Sequence, residues 1–189
     1  THEYVFGDGS GGHLLFVGRM MKEKGVDCAI DAAIQSKTPL HLFGEPAKDD
    51  LYWETSIIKM IDQCHILQKG FVEKSVLIRE YQLARALLFP VNWEEPFGLV
   101  MIEAMSSGTP VIAYNRGSVA EIVKDGVTGF IIDPDDTDRP GKGTWVIKKQ
   151  GIDGLVEAIR RIGEIDRGVC RKHVEEHFTV EKMVEGYEQ

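Results

Sequence analysis

Short apolar runs alternate along this chain with longer stretches whose apolar residues recur at helical spacing. Leu14–Val17, Leu40–Phe43, His65–Leu67, Ala86–Phe89, Pro110–Ala113 and Gly129–Ile132 are the runs. They lack the period-2 alternation of a strand with one wet face, so they predict strands buried on both sides. Val26, Ala29, Ile30, Ala33 and Ile34 fall at i, i+3, i+4 spacing and predict a helix over Val26–Gln35. Tyr52–Ile61, Ser75–Ala84, Pro96–Ser106 and Ser118–Val123 read as further helices, with Ser75 as a serine N-cap. The chain from about Ile152 onward reads as two or three more.

Buried strands separated by helices imply a mainly parallel sheet covered on both faces, a Rossmann-like three-layer α/β domain. Ligands of such sheets sit at the carboxyl ends of the strands. Gly18-Arg19, Gly44, Phe71 and Pro90–Glu95 each follow a predicted strand, so they converge on one edge. The glycine-rich segment Gly7-Asp8-Gly9-Ser10-Gly11-Gly12 precedes a strand, whereas a nucleotide fingerprint must follow one. Residues 1–13 are therefore expected to be a linker entering a domain that spans residues 14–189. Asp133–Gly151, polar and holding Pro134, Pro140 and Gly141, is expected to be a long surface loop.

A length of 189 residues fits one domain with a substantial core, and 43% hydrophobic with 28% charged residues is a globular composition. The net charge of −8 argues against a nucleic-acid partner but leaves room for a small basic pocket. Cys28, Cys64 and Cys170 have neither metal-ligand spacing nor a disulfide framework, which points to a reducing, cytoplasmic setting. No apolar run reaches membrane-spanning length and no signal peptide is visible. The chain starts at Thr1, so further N-terminal sequence is expected, and any peripheral membrane contact is assigned to it.

The stretch richest in chemistry is Glu95-Pro96-Phe97-Gly98-Leu99-Val100-Met101-Ile102-Glu103. Pro96 suits a first helical turn, and Gly98 lets a ligand approach the backbone. The helix start then offers N–H groups and partial positive charge to a phosphate. Glu103 is placed about 10 Å further on, at roughly 1.5 Å per residue, comparable to the reach from a pyrophosphate to its ribose. A carboxylate there can accept both ribose hydroxyls. Arg19 and Lys24 are candidate diphosphate ligands, the first through its planar fork and the second as a point charge. His173-Val174-Glu175-Glu176-His177 matches a zinc-protease pattern, but no third ligand is evident and the segment reads as ordinary helix. His41 and His65 have no motif support, and Trp93 is read as packing.

This E-x7-E segment resembles that of the retaining glycosyltransferases of the GT-B fold, in particular the family-4 (group 1) type. Further motifs follow in that family's order from about Leu14 to Tyr187. They are Phe16-Val17-Gly18-Arg19, Lys24-Gly25-Val26-Asp27, Leu42-Phe43-Gly44, Gly70-Phe71-Val72, Glu103-Ala104-Met105 with Gly108-Thr109-Pro110-Val111, Gly117-Ser118, Glu121-Ile122-Val123 and Asp125–Phe130. The resemblance implies the C-terminal, donor-binding half of a GT-B fold. A UDP- or GDP-sugar would lie across the strand ends near Gly18. Arg19 and Lys24 would take up the leaving-group charge that a divalent metal carries in other glycosyltransferases, so no metal and no cofactor is implied. Glu95 would hold a sugar hydroxyl and Glu103 the ribose. Backbone N–H groups of Phe97, Gly98 and Leu99 would contact phosphate and sugar, and Phe71 and Val72 would border the base. The family's N-terminal acceptor domain has no counterpart here. The acceptor, whether glycan, lipid or small molecule, is therefore unread, and this chain alone is expected to transfer sugar weakly or not at all.

Two alternatives stand beside this one. A non-catalytic nucleotide-sugar-binding module would have little need for charge aimed at a leaving group. A sugar-nucleotide epimerase on the same scaffold would release free nucleotide without an acceptor. An NAD-dependent dehydrogenase lacks its glycine fingerprint here.

Overall fold

The computed structural model describes residues 3–135, 143–179 and 182. The six apolar runs form β1 (Leu14–Val17), β2 (Leu40–Phe43), β3 (Ile66–Gly70), β4 (Ala86–Phe89), β5 (Val111–Tyr114) and β6 (Gly129–Ile132). All pair in parallel, in the order β3-β2-β1-β4-β5-β6. Leu14, Leu15, Leu40, Leu42, Leu87, Leu88, Val111 and Ile112 are buried. Helices on both faces explain this. On one side α1 (Val26–Ser36) packs against α5 (Gly151–Arg161). On the other, α3 (Leu99–Ser106) packs against α2 (Lys74–Leu83) and α6 (Arg167–His177). Each fully buried leucine contributes about 1.5–3 kcal/mol, and the sheet is the centre of the core.

The strand order positions the site. The chain winds outward from β1 through β2 to β3, then crosses back to β4 on the other side of β1. That reversal opens a crevice at the carboxyl ends of β1 and β4. Gly18-Arg19 leaves one strand there and Pro90–Glu95 the other.

Several element boundaries differ from those predicted. The helix expected from Pro96 starts at Leu99, because Gly98 stands before it in the left-handed region (φ 76°) and leaves Pro96 and Phe97 in the preceding loop. The expected Tyr52–Ile61 helix is a π-helical turn, Trp53–Ile57, running into a 3₁₀ turn, Ile58–Met60. Thr55 and the two isoleucines restrict the chain there, and the Thr55 hydroxyl bonds back to Leu51 O. Ser75 lies inside the first turn of α2; Glu73 is the residue that precedes the helix. β3 begins after His65, because the Asp62 carboxylate caps a turn by accepting from the N–H groups of Cys64, His65 and Ile66. The short helix near Ser118 is α4 (Val119–Ile122).

The segment before β1 is docked along the fold. N–H groups of Gly7, Gly9 and Gly11 donate to the carbonyls of Ser107, Gln82 and Leu83. Arg167 and Arg171 reach the carbonyls of Gly7 and Tyr4. Of the expected Asp133–Gly151 loop, residues 136–142 lie outside the described residues, as does most of the chain end beyond residue 179. Trp145, within that loop, donates to Asp133 at 2.8 Å.

Candidate functional site

The loop from β4 to α3 carries Glu95, and tertiary contacts hold it from behind. Gly117 N–H donates to a Glu94 carboxylate oxygen at 2.6 Å. Ser118 N–H donates to Glu95 O at 2.9 Å, and the Ser118 hydroxyl to Phe97 O at 2.8 Å. Gly117 is left-handed (φ 53°), and a Cβ there would sit 2.2 Å from Glu95 O. Only glycine permits so close an approach. The Gly117-Ser118 motif is thus a brace under Glu95.

Glu95 is buried, 9% exposed, and its Oε2 accepts two hydrogen bonds. Lys24 Nζ donates at 2.7 Å and Trp93 Nε1 at 3.0 Å. The ammonium also lies 4.6 Å from the Trp93 ring centroid, within cation–π range. Trp93 is 38% exposed, so it does not fill the core; it holds the carboxylate and the cation beside it. Lys24 reaches this position from the turn that precedes α1. The pair fixes Glu95 through Oε2, and Oε1 makes no hydrogen bond among the described residues.

On the far side of β1 an open cavity of about 410 Å³ lies at the carboxyl ends of β1, β2 and β3. Gly18 and Arg19, Phe43 to Glu45, Gly70 to Val72 and Leu77 line it. Phe71 is 83% exposed on its rim. Arg19 is exposed and, among the described residues, makes no ion pair. The structure therefore separates the two cations. Arg19 faces the cavity, and Lys24 is engaged with Glu95.

Glu103 lies one turn into α3, roughly 6 Å from its start at 1.5 Å per residue, which is closer than the predicted 10 Å because the helix begins later. It accepts from the Tyr81 hydroxyl at 3.0 Å. Tyr81 is fully buried on α2. Burial, then the neighbouring Glu103 charge, pushes its phenol well above the usual range, so it is a neutral donor. Tyr4 approaches the same carboxylate and is pushed up by burial and by Glu103 in turn. Phe97 and Leu99 are exposed at the helix mouth. Met101 N–H donates to Gly98 O at 3.0 Å, and the N–H groups before it have no preceding helical carbonyl to meet.

Sequence reading missed Trp93 and Tyr81 as partners of the two glutamates. Trp93 lies two residues from Glu95, close enough for a sequence signal; Tyr81 carries none, because α2 meets α3 only in the fold. Among the described residues, the H-x-x-E-H side chains belong to no cluster of three ligand-bearing groups. His173 is buried with Nε2 2.9 Å from Ile122 O, and burial lowers its pKa.

The family model described as glycosyl transferases group 1 matches residues 9–143. The chain belongs to that family. Among its relatives, a D-inositol 3-phosphate glycosyltransferase of Mycobacterium sp. (strain KMS) is 33% identical over 137 residues, covering 69% of this chain and 29% of the relative. The pneumococcal O-GlcNAc transferase GtfA, solved in complex with UDP and GlcNAc, superposes with a TM-score of 0.72 at 22% identity, covering 97% of this chain and 37% of that one. The C-terminal domain of a glycosyl transferase group 1 protein (LpcC) from Francisella tularensis gives 0.72 at 19% identity, covering 95% and 90%. The fold is that of the C-terminal domain of a GT-B glycosyltransferase. This chain spans about a third of the length of the curated relatives it matches. Among the described residues of this group 1 chain, no helix is long and apolar enough to cross a membrane.

Proposed function

We propose that this chain supplies the nucleoside-diphosphate-sugar site of a retaining glycosyl transfer. The observation that carries the reading is the crevice between β1 and β4. It sets an exposed Arg19, a braced Glu95 and an open helix mouth around one cleft, beside a cavity large enough for a nucleoside. The base rests against Phe71 and Val72 in that cavity. The diphosphate lies by Gly18, Arg19 and the N–H groups of Phe97, Gly98 and Leu99. Glu103 accepts from the ribose hydroxyls while Tyr81 fixes its orientation. Glu95 Oε1 accepts from a sugar hydroxyl while Oε2 stays anchored.

The acceptor hydroxyl attacks the anomeric carbon from the face the leaving group departs. A carbon–oxygen bond forms to the acceptor, and the bond to the phosphate oxygen breaks with its electron pair. The hydroxyl proton passes to the departing phosphate. Arg19 and Lys24 stabilise the charge that develops on the diphosphate, so the reading needs no divalent metal at this cleft. The acceptor is bound by a part of the protein outside this domain, and the 189-residue chain alone turns over slowly because the cleft is open to water.

Calorimetric titration of UDP, GDP, ADP and their glucose or mannose conjugates into the chain, without metal, tests the site. One nucleotide should bind saturably, and Arg19→Ala and Glu103→Ala should each weaken it. Binding that neither substitution affects would remove this assignment. Release of free nucleotide without an acceptor would favour the epimerase.

A further inference from the structure

At the opposite edge of the sheet from the cavity, three side chains distant in sequence come together. His13 precedes β1, His41 lies in β2 and Glu80 lies in α2. Leu15 pairs with His41 in the parallel ladder, and His13 is two residues before Leu15, so both imidazoles project from one face of the sheet. That face receives Glu80. The imidazole rings stack with centroids 3.9 Å apart and planes 16° from parallel. Glu80 Oε2 lies 2.8 Å from His41 Nδ1 and 3.1 Å from His13 Nε2. Among the described residues this is the one group of three or more His, Cys, Asp or Glu whose ligand atoms lie within 4.8 Å of one another.

His13 is 3% exposed, and its Nε2 is buried without a hydrogen-bond partner. The Glu80 oxygen is near enough but off the line a hydrogen bond needs. A buried ring nitrogen left this way costs free energy. Around a tetrahedral zinc ion, with bonds of about 2.0–2.1 Å to nitrogen and oxygen, neighbouring donor atoms stand about 3.3 Å apart. Two edges of that tetrahedron are already close to length here. Glu80 supplies the required anion. The backbone is fixed as well, since Gly11 N–H donates to Leu83 O and Arg85 N–H to His13 O.

We propose that His13, His41 and Glu80 bind one zinc-class divalent ion, with water at the fourth position. His41 and Glu80 are each 18% exposed at the side chain, which leaves the ion an open face. The ion ties the segment before β1 to β2 and α2, far from the sugar-transfer cleft. Its role is to clamp the docked segment and stabilise the fold.

The test is titration of the metal-stripped chain with zinc by calorimetry, with cobalt(II) absorption as the probe of geometry. One equivalent should bind, with the intense visible bands of a tetrahedral cobalt site. Outer-shell substitutions at metal sites cost about 10–100-fold in affinity, so loss of a ligand in His41→Gln or Glu80→Gln should cost at least about 100-fold. Zinc at a hundredfold excess over Kd should raise Tm by roughly 5–10 °C in the native chain and in neither variant. His173→Gln should bind as the native chain does. The glutamine at position 80 is nearly isosteric, so that variant reports even if His41→Gln fails to fold. Absence of one-equivalent binding, or binding that survives Glu80→Gln and is lost in His173→Gln, would overturn the site.

Discussion

Replacing Lys24 with methionine keeps the aliphatic stem against Trp93 and removes the charge beside Glu95. At 2.7 Å and an effective dielectric near 20, the Coulomb attraction of the pair is about 6 kcal/mol. Desolvation offsets most of that, since the side chains are only 18% and 11% exposed. A charge-assisted hydrogen bond of this kind nets about 1.5–3 kcal/mol. Lys24→Met should therefore cost about 2 kcal/mol and lower Tm by roughly 4–8 °C for a chain of this size. Glu95→Gln should cost less, about 1 kcal/mol, because the amide oxygen still accepts from Trp93 and the freed ammonium can turn to water. Denaturant unfolding of both single variants and the double variant closes a cycle. The double variant should recover about 1–2 kcal/mol relative to the sum. Costs that add to within about 0.5 kcal/mol would show that the pair carries no coupling and that Glu95 is not anchored by Lys24. The same cycle at saturating nucleoside diphosphate should show weaker coupling, because a phosphate becomes a second partner for the ammonium.

Gly117→Ala should abolish nucleotide-sugar binding and cost several kcal/mol, because its Cβ meets the Glu95 backbone at 2.2 Å and its φ of 53° is strained for alanine; a variant that binds normally in calorimetry would refute the brace. Tyr81→Phe should lose about 1 kcal/mol in thermal unfolding and weaken nucleoside binding several-fold, while an unchanged affinity would show that Glu103 needs no orientation from behind. Thiol labelling of the native chain should modify exposed Cys64 quickly and Cys28 and Cys170 slowly, since burial pushes the latter two thiols up to about 11 and about 12; equal rates for all three would contradict the packing. His173 has a folded pKa below its ordinary value of 6.5, so the unfolded chain binds its proton first. Stability should fall as pH drops below about 6.5, and His173→Gln should flatten that slope; parallel profiles for the two chains would remove His173 as the cause.

Legibility in the sequence follows the range of the interaction. The strands could be read because helices cover both faces and force runs such as Leu14–Val17 and Ala86–Phe89 to be apolar throughout. The sheet's parallel sense followed from that; the order with β1 at its centre did not, because nothing local encodes which strand neighbours which. The start of α3 was misplaced for a local reason. Pro96 is permitted at a helix start, but Gly98 in the left-handed region breaks the turn after it. The docked segment before β1 read as a linker because its bonds run to carbonyls 72 and more residues away.

The same distinction governs the cleft. The sequence singles out Arg19, Lys24, Glu95 and Glu103 as charged candidates around a helix mouth, and assigns both cations to the diphosphate. The fold separates the two cations. Lys24 and Glu95 are 71 residues apart in the chain and 2.7 Å apart in space, whereas Arg19 faces the cavity with no ion-pair partner among the described residues. In the proposed site, an arriving diphosphate meets Arg19 first. It can recruit Lys24 only by sharing the ammonium with Glu95 or by displacing it. If shared, the phosphate, Lys24 and Glu95 form one chain of charge, and the carboxylate that holds the sugar is fixed by the same cation that holds the leaving group. Loss of either side chain would then misplace both ends of the bond to be broken, so substitutions at positions 24 and 95 should be far less than additive in their effect on transfer.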